Sequence, residues 1–311
     1  MGFDEAVGPS GYRWWYIDAL SDDGRYGLAV IGLVGSVFSP YYARARAKGE
    51  TNPERHCAMN VVLYGRGSKR WAMTERGAGD LKRSSDELVI GPSSISGDAS
   101  GLIIKIDEVT VPWLSRMRGE IRISFDALQQ QRLALDDGGQ HYWWPIAPTA
   151  RATVAMKQPD LRWQGHAYID SNGGSIPLED TFDRWDWSRA QLADGSAVVL
   201  YAPQQIDGEA PTVALRFRPN AAPQPLQDVR AATLPSTPIW RIPRGTLVDS
   251  DAQPQIQKTL EDTPFYARSV LQTRLLGETS LAMHESLSLS RFRQPWVKLL
   301  LPFRMPRRGQ R

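Results

Sequence analysis

The feature that most constrains the fold is a series of short segments rich in Val, Ile, Tyr and Trp, separated by turn residues. The turn residues recur about every ten positions, a spacing typical of a sandwich or barrel. Residues 12–19 precede Ser-Asp-Asp-Gly, and residues 162–169 precede Ser-Asn-Gly-Gly. Long amphipathic patterns are nearly absent, and residues 182–192 form the one short stretch with helical character. We therefore expect an all-β protein with few short helices.

The chain of 311 residues is long enough for two domains of ordinary size. The pattern changes from strand to loop over residues 145–158, which predicts a boundary near residue 155. The tripeptide Tyr-Ile-Asp occurs at residues 16–18 and again at residues 168–170, which hints at a duplicated barrel. The expected organisation is a β-barrel domain over residues 1–155, a second over 156–290, and a tail over 291–311.

The single cysteine and the absence of familiar catalytic motifs exclude several kinds of chemistry. Cys57 is the single cysteine, so neither an intramolecular disulfide nor a cysteine zinc site is expected. The sequence contains no HExxH, nucleophile elbow or phosphate-binding loop, so we expect no metal and no other cofactor. The first residues lack a secretory signal pattern, which favours a cytoplasmic location.

The tail over residues 291–311 is basic and apolar. It contains six Arg, one Lys and no acidic residue. Its cations alternate with large apolar residues, namely Trp296, Leu299, Leu300, Leu301, Phe303 and Met305. This pattern predicts peripheral contact with an anionic membrane surface. Loose nucleic-acid binding and a disordered basic end are the alternatives, but phosphate contact needs no such apolar residues, so nucleic acid is not the expected partner.

Tryptophan is the most unusual residue, with 11 copies, several of them adjacent. The richest cluster runs from His141 through Trp143 and Trp144, and then from Trp163 to Asp170. If residues 162–170 form a strand, side chains alternate between its faces, so His166, Tyr168 and Asp170 share one face. On the inner wall of a barrel, apolar surroundings would raise the pKa of the aspartate and make it a proton donor.

An acid in this setting can protonate an alkene, and aromatic faces can stabilise the resulting carbocation through their quadrupoles. A purely structural interpretation stays open at this point. In it, Trp143, Trp144 and Trp163 are core residues, and Asp170 caps the turn of residues 171–174 through an Asx hydrogen bond.

Four motifs together resemble the carotenoid 1,2-hydratase family. They are Gly11-Tyr12-Arg13-Trp14-Trp15-Tyr16, His56-Cys57-Ala58-Met59-Asn60-Val61, Gln140-His141-Tyr142-Trp143-Trp144-Pro145 and His166-Ala167-Tyr168-Ile169-Asp170. The resemblance implies two lipocalin-like β-barrel domains in tandem. It also implies a cofactor-independent lyase of phototrophic bacteria, which adds water to the terminal C1=C2 double bond of acyclic carotenoids such as lycopene and neurosporene.

The resemblance also implies roles for individual residues. Asp170 is the expected acid, with Tyr168, Trp143 and His141 as the other catalytic residues, and Trp144, Trp163 and His166 are expected to bind substrate. Either His141 or His166 could hold the Asp170 carboxyl group. The expected location is the cytoplasmic side of a membrane, reached through the tail. A lipocalin-like carrier that binds carotenoid or lipid without turnover is the alternative function.

Overall fold

The computed structural model of the chain describes residues 1–65, 69–208 and 211–308. Strands dominate, which confirms the all-β prediction. Contacts divide the chain into two compact units. The first contains Met1–Ala134, Gly139–Pro177 and the described part of Lys298–Arg311, and the second contains Leu135–Gly138 and Leu178–Val297.

The first unit is built on one antiparallel sheet that curves into a nearly closed barrel. Its strands are β1 (Tyr12–Ser21), β2 (Gly27–Val34), β3 (Cys57–Tyr64), β4 (Lys69–Arg76), β5 (Leu81–Arg83), β6 (Glu87–Ile90), β7 (Ser93–Gly97), β8 (Gly101–Val109), β9 (Arg116–Phe125), β10 (Leu133–Ala134), β11 (His141–Gln158) and β12 (Asp160–Gly174). The strand order is β4-β3-β2-β1-β12-β11-β9-β8-β7-β6-β5, and β10 pairs with β11.

The barrel core takes alternate residues from almost every strand, as period-two patterning requires. On β1 the core residues are Trp15, Ile17 and Ala19, and on β12 they are Ala167 and Ile169. Because successive side chains point to opposite faces, the residues between them lie on the outer face of the sheet. That outer face carries the candidate site.

The second unit contains a seven-stranded antiparallel sheet and a separate hairpin. Its strands are β13 (Phe182–Gln191), β14 (Ala197–Gln205), β15 (Val213–Phe217), β16 (Gln224–Pro225), β17 (Val229–Leu234), β18 (Arg244–Asp249), β19 (Gln255–Asp262), β20 (Tyr266–Leu275) and β21 (Glu278–Ser288). The sheet order is β16-β15-β14-β13-β21-β20-β19, and β17 pairs with β18.

The division near residue 155 expected from the sequence falls inside β11, and contacts place it after Pro177. Residues 145–158, expected as a loop, continue a long strand because β11 pairs with β12 on one side and β9 on the other. Pro145 and Pro148 lack the N–H that a ladder uses, and both lie where the ladder with β12 is irregular. The tail residues Lys298–Arg308 group with the first unit.

Helices are few and short, as predicted. Within the described residues they are α1 (Pro40–Arg46), α2 (Leu178–Thr181), α3 (Leu289–Phe292), α4 (Pro295–Leu300) and three 3₁₀ turns at Pro53–Arg55, Ala78–Asp80 and Leu301–Phe303. The prediction of a helical stretch over residues 182–192 was wrong, because that segment is the central strand β13, paired on both edges. None of the described helices has the length and apolar character needed to cross a bilayer.

Candidate active site

Three of the predicted site residues meet at one carboxyl oxygen. Asp170 is buried on β12, and its Oδ2 accepts a hydrogen bond from Tyr168 Oη at 2.7 Å and another from Trp143 Nε1 at 2.8 Å. Trp143 Nε1 also lies 3.2 Å from Tyr168 Oη, and all three side chains are buried. Both lone pairs of Oδ2 are thereby occupied, so a proton on this carboxyl group would be carried by Oδ1.

The three residues lie on the outer face of the first barrel, and the expectation that Asp170 sits on the inner wall was wrong. Ala167 and Ile169 point into the core, so Tyr168 and Asp170 point away from it. Alternation shows which side chains share a face, but it does not show which face is interior when both are buried. Over residues 161–169 of β12 the inward positions are apolar, and the outward ones carry the polar groups.

The ladder between β11 and β12 has two irregularities, which lie opposite Asp170 and Tyr168. Trp144 pairs with Ser171 and Ala147 pairs with Ile169, so residues 145 and 146 both lie opposite Asp170. Ala147 pairs with Ile169 and Ala150 pairs with Ala167, so residues 148 and 149 lie opposite Tyr168. Each bulge contains a proline, which has no N–H to donate to the ladder. Bulges re-aim side chains and are frequent beside active sites.

The other edge of β12 pairs regularly with β1 and adds two polar residues to the same face. Tyr16 lies opposite Asp170, and Asp18 lies opposite Tyr168. Both are buried, and the Tyr16 and Tyr168 rings meet edge to face with centroids 6.2 Å apart. Asp18 and Tyr16 were missed as site residues, although the repeated Tyr-Ile-Asp tripeptide was the signal for them.

Burial keeps the Tyr168 hydroxyl protonated. Desolvation raises its pKa well above the ordinary value of 10.0, and the neighbouring Asp170 raises it further through charge and hydrogen bonding. The charge of Asp18 acts in the same direction, and the Trp143 hydrogen bond opposes it. Tyr168 is therefore a donor to Asp170 throughout the pH range in which proteins ordinarily work.

His141 lies on the same outer face, farther along β11. It is fully buried, its Nδ1 is 2.9 Å from Tyr12 Oη, and the two rings stack with centroids 5.8 Å apart. Gly174 permits this approach, because a Cβ at that position would lie 2.6 Å from His141 Nδ1 and 2.6 Å from Tyr12 Cε1. The histidine is thus held in place by Tyr12 and by a glycine backbone.

The turn expected at residues 171–174 is absent. The segment continues strand β12, paired with β1 and β11. Gly173 is needed for close packing, because a Cβ there would lie 2.3 Å from Tyr142 Oη. With no turn to cap, the interpretation of Asp170 as an Asx cap was wrong.

The remaining predicted residues lie elsewhere. Trp144 points into the barrel core and donates from Nε1 to the Gln129 carbonyl at 2.6 Å. Trp163 packs against the edge of the same core. His166 shares a face with Asp170, but its side chain is 42% exposed and its Nε2 lies 3.8 Å from Asp22 Oδ1. His166 and Asp170 are four positions apart on an extended strand, about 13 Å at 3.3 Å per residue.

The other histidines have structural contacts. His56 is buried against Glu75, with Nδ1 and Oε1 2.7 Å apart, and His284 Nε2 donates to the Gly245 carbonyl at 2.8 Å. Over the described part of the chain, no group of three or more His, Cys, Asp and Glu side chains is arranged to hold a metal ion.

The chain resembles known proteins in both sequence and structure. The family model for carotenoid hydratase CrtC matches residues 30–311. An acyclic carotenoid 1,2-hydratase from Thiocapsa roseopersicina is 50% identical over 307 residues, covering 99% of this chain and 76% of the relative. The acyclic carotenoid 1,2-hydratase of Rubrivivax gelatinosus is 47% identical with the same coverage. The chain thus spans about three quarters of the length of these relatives.

A solved structure, that of a Nitrosomonas europaea protein assigned as AttH, superposes with a TM-score of 0.64. It covers 91% of this chain and 93% of its own length, at 14% sequence identity. At this identity the likeness shows a shared fold and nothing about the reaction.

Proposed function

Because the chain belongs to the carotenoid hydratase CrtC family, we propose that it adds water to the terminal C1=C2 double bond of an acyclic carotenoid such as lycopene or neurosporene. The product is the 1-hydroxy carotenoid, and the enzyme is a cofactor-independent hydro-lyase. The observation that carries the proposal is the buried Asp170 carboxyl group, with two donors converging on its Oδ2.

The first step is protonation of the alkene by Asp170. The O–H bond on Oδ1 breaks, the π electrons of the double bond take the proton at C2, and a tertiary cation forms at C1. As Asp170 becomes a carboxylate, the Tyr168 and Trp143 donors stabilise the charge developing on Oδ2. These hydrogen bonds strengthen as the proton leaves, so they lower the barrier more than they stabilise the resting acid.

The second step is attack of water on the C1 cation. A C–O bond forms, and the attacking water loses a proton to the Asp170 carboxylate, which regenerates the acid. The rings of Trp143 and Tyr168 lie beside the carboxyl group, the Tyr16 ring meets that of Tyr168, and their electron-rich faces are assigned to stabilise the cation. His141, held by Tyr12, is the residue assigned to orient the water. Trp144, Trp163 and His166 have no part in this mechanism.

The decisive experiment replaces Asp170 with Asn, which preserves shape and removes the transferable proton. General acid catalysis contributes about 10²–10⁴-fold, so hydration of lycopene or neurosporene in detergent micelles should fall by at least a hundredfold. Asp22→Asn, an exposed aspartate of the same barrel, is the matched control and should retain wild-type activity. Activity of the Asp170→Asn protein within a few-fold of wild type would exclude Asp170 as the acid.

A carotenoid carrier without turnover is the alternative from another functional class. Mass spectrometry of pigment extracted after incubation distinguishes the two. Hydration adds one water to the mass of the carotenoid, whereas a carrier returns it unchanged. A cyclisation begun by the same protonation would also leave the mass unchanged, but it would alter the chromatographic retention.

We also propose a second lipocalin-like barrel and a peripheral location on the cytoplasmic side of a membrane. The hairpin strand β18 packs against β13, β14, β20 and β21, as expected if the hairpin closes the second sheet. The apolar character of an acyclic carotenoid requires that the enzyme meet its substrate at a bilayer. The basic, apolar residues of the tail are the sequence feature that supports this contact.

A further inference from the structure

Two segments of the first unit, far apart in sequence, expose large apolar side chains. Trp113 and Leu114, at the tip of the loop between β8 and β9, are 85% and 80% exposed. Leu299 and Phe303, in the tail, are each 72% exposed. The side chains of Trp113 and Leu114 are not buried by other parts of the described structure. Groups of exposed apolar residues mark interaction surfaces.

Both segments are attached to the same end of strand β4. Arg70 Nη1 donates to Ser115 Oγ at 2.6 Å, which fixes the loop next to the first residues of the strand. Arg304 Cζ lies 4.7 Å from the centroid of the Trp71 ring, which fixes the tail next to the same residues. The two exposed pairs therefore flank the beginning of β4, although nearly 190 residues separate them in sequence.

The tail holds a defined position against the barrel. Arg307 forms a parallel bridge with Glu75 and an ion pair with its carboxylate, and Glu75 N donates to the Pro306 carbonyl at 2.9 Å. Leu301 and Met305 are buried. The contact of Arg304 with the Trp71 ring places the neighbouring Phe303 near the start of β4. Leu299 precedes Phe303 by four residues, in the helix α4.

The segments that carry these apolar residues are rich in cations. Residues 69–71, 110–118 and 298–308 contain eight cationic residues and no Asp or Glu, the cations being Lys69, Arg70, Arg116, Arg118, Lys298, Arg304, Arg307 and Arg308. Arg116 and Arg118 are offset by Asp107, and Arg307 by Glu75. Cations in these segments suit an anionic headgroup layer, at about 1 kcal/mol for each one near the surface.

We propose that Trp113, Leu114, Leu299 and Phe303 form one membrane-docking surface that inserts into the interface of an anionic bilayer. This inference rests on the peripheral contact proposed above and extends it from the tail to a composite surface that includes the β8–β9 loop. The apolar side chains enter the boundary between headgroups and acyl chains, tryptophan being suited to that depth, and the cations contact lipid phosphates. A bilayer fits this surface because its acyl layer accepts the apolar side chains and its anionic headgroups attract the cations near them.

The test is sedimentation of the full-length protein with vesicles of phosphatidylcholine, with and without phosphatidylglycerol. Trp113→Ser/Leu114→Ser and Leu299→Ser/Phe303→Ser should each lower the partition coefficient on anionic vesicles by at least tenfold. Point variants are preferable to deletion of the tail, which would remove the buried side chains of Val297, Leu301 and Met305 and expose the surface that they cover. Ile239→Ser, at a position 75% exposed in the second unit, is the matched control and should bind like wild type.

The outcomes are separable from those of the hydration assay. Loop variants should keep wild-type hydration in detergent micelles, and vesicle binding can be measured even if no carotenoid is hydrated. If the loop variant binds vesicles as tightly as wild type, the composite surface is excluded, and a protein partner becomes the better explanation for Trp113. If Ile239→Ser weakens binding equally, or neutral vesicles bind as well as anionic ones, the proposed surface is also excluded.

Discussion

Ile17 lies directly opposite Ile169 on neighbouring antiparallel strands, so the two Tyr-Ile-Asp tripeptides of the sequence pair with each other. Both isoleucines point into the barrel core, and the flanking tyrosines and aspartates point outward. Each tyrosine consequently lies opposite the aspartate of the other tripeptide. The repeat that suggested two duplicated barrels is in fact a local pairing within one sheet, and it builds the candidate site.

The two donors to Asp170 are expected to act together. Tyr168→Phe and Trp143→Phe should each lower kcat by about tenfold, in line with roughly 1.5 kcal/mol for a hydrogen bond to a charged group. The double variant should lose more than the product of the single losses, because in each single variant the remaining donor compensates at the shared oxygen Oδ2. A double-mutant cycle on kcat measures this coupling, with Trp163→Phe as control. Strictly multiplicative losses would contradict the shared-oxygen arrangement.

The contribution of Tyr168 to the rate should not change with pH below about pH 9.5. Its pKa is raised well above 10.0, chiefly by desolvation, so the hydroxyl stays protonated and donating over that range. The ratio of wild-type to Tyr168→Phe rates, measured from pH 6 to 9.5, should therefore be constant. A ratio that declines towards one as the pH rises would mean that the hydroxyl ionises, against the expected direction of its pKa shift.

The two histidines of the site motifs should differ sharply in importance. His166→Gln should leave kcat within about twofold of wild type, because the ring is partly exposed and lies beside Asp22. His141→Gln should lower kcat at least tenfold, because His141 is buried on the site face and held by Tyr12. Hydration assays on both variants test this difference, and thermal melting confirms that both proteins are folded. Equal losses of kcat would mean that His166 also acts in the site.

Cys57 should be unreactive in the folded protein and should make its stability depend on pH. Burial, followed by the charge of Glu54, raises the pKa of the thiol from 9.0 to about 12. As the pH rises, the thiol therefore loses its proton in the unfolded chain before it does so in the folded chain. Its contribution to the free energy of unfolding is complete below pH 9, and it declines towards pH 12 by up to about 1.4 kcal/mol per pH unit. Urea unfolding of wild type and Cys57→Ala at pH 8 and pH 10 measures the difference. Rapid thiol labelling of the native protein at pH 8 would contradict the assignment.

Local patterning predicted many of the strands, but it failed where glycine or proline, which usually mark turns and loops, lie inside a strand. Gly173 and Gly174 predicted a turn, yet they continue β12 and give room to Tyr142 and His141. Pro145 predicted a loop, yet it lies in a bulge opposite Asp170. In each case the deciding contact joins strands that local sequence does not show to be neighbours.

The sequence by itself determined the all-β class, the alternation that places Tyr168 and Asp170 on one face, and the motifs that identify the family. These properties depend on residues close together in the chain and on side-chain periodicity. Only the tertiary structure decided that this face is the outer one, that Trp143 rather than His166 reaches Asp170, and that Asp18 lies beside Tyr168. Strand register and the direction of sheet curvature set those relationships, and both arise from pairing between distant segments.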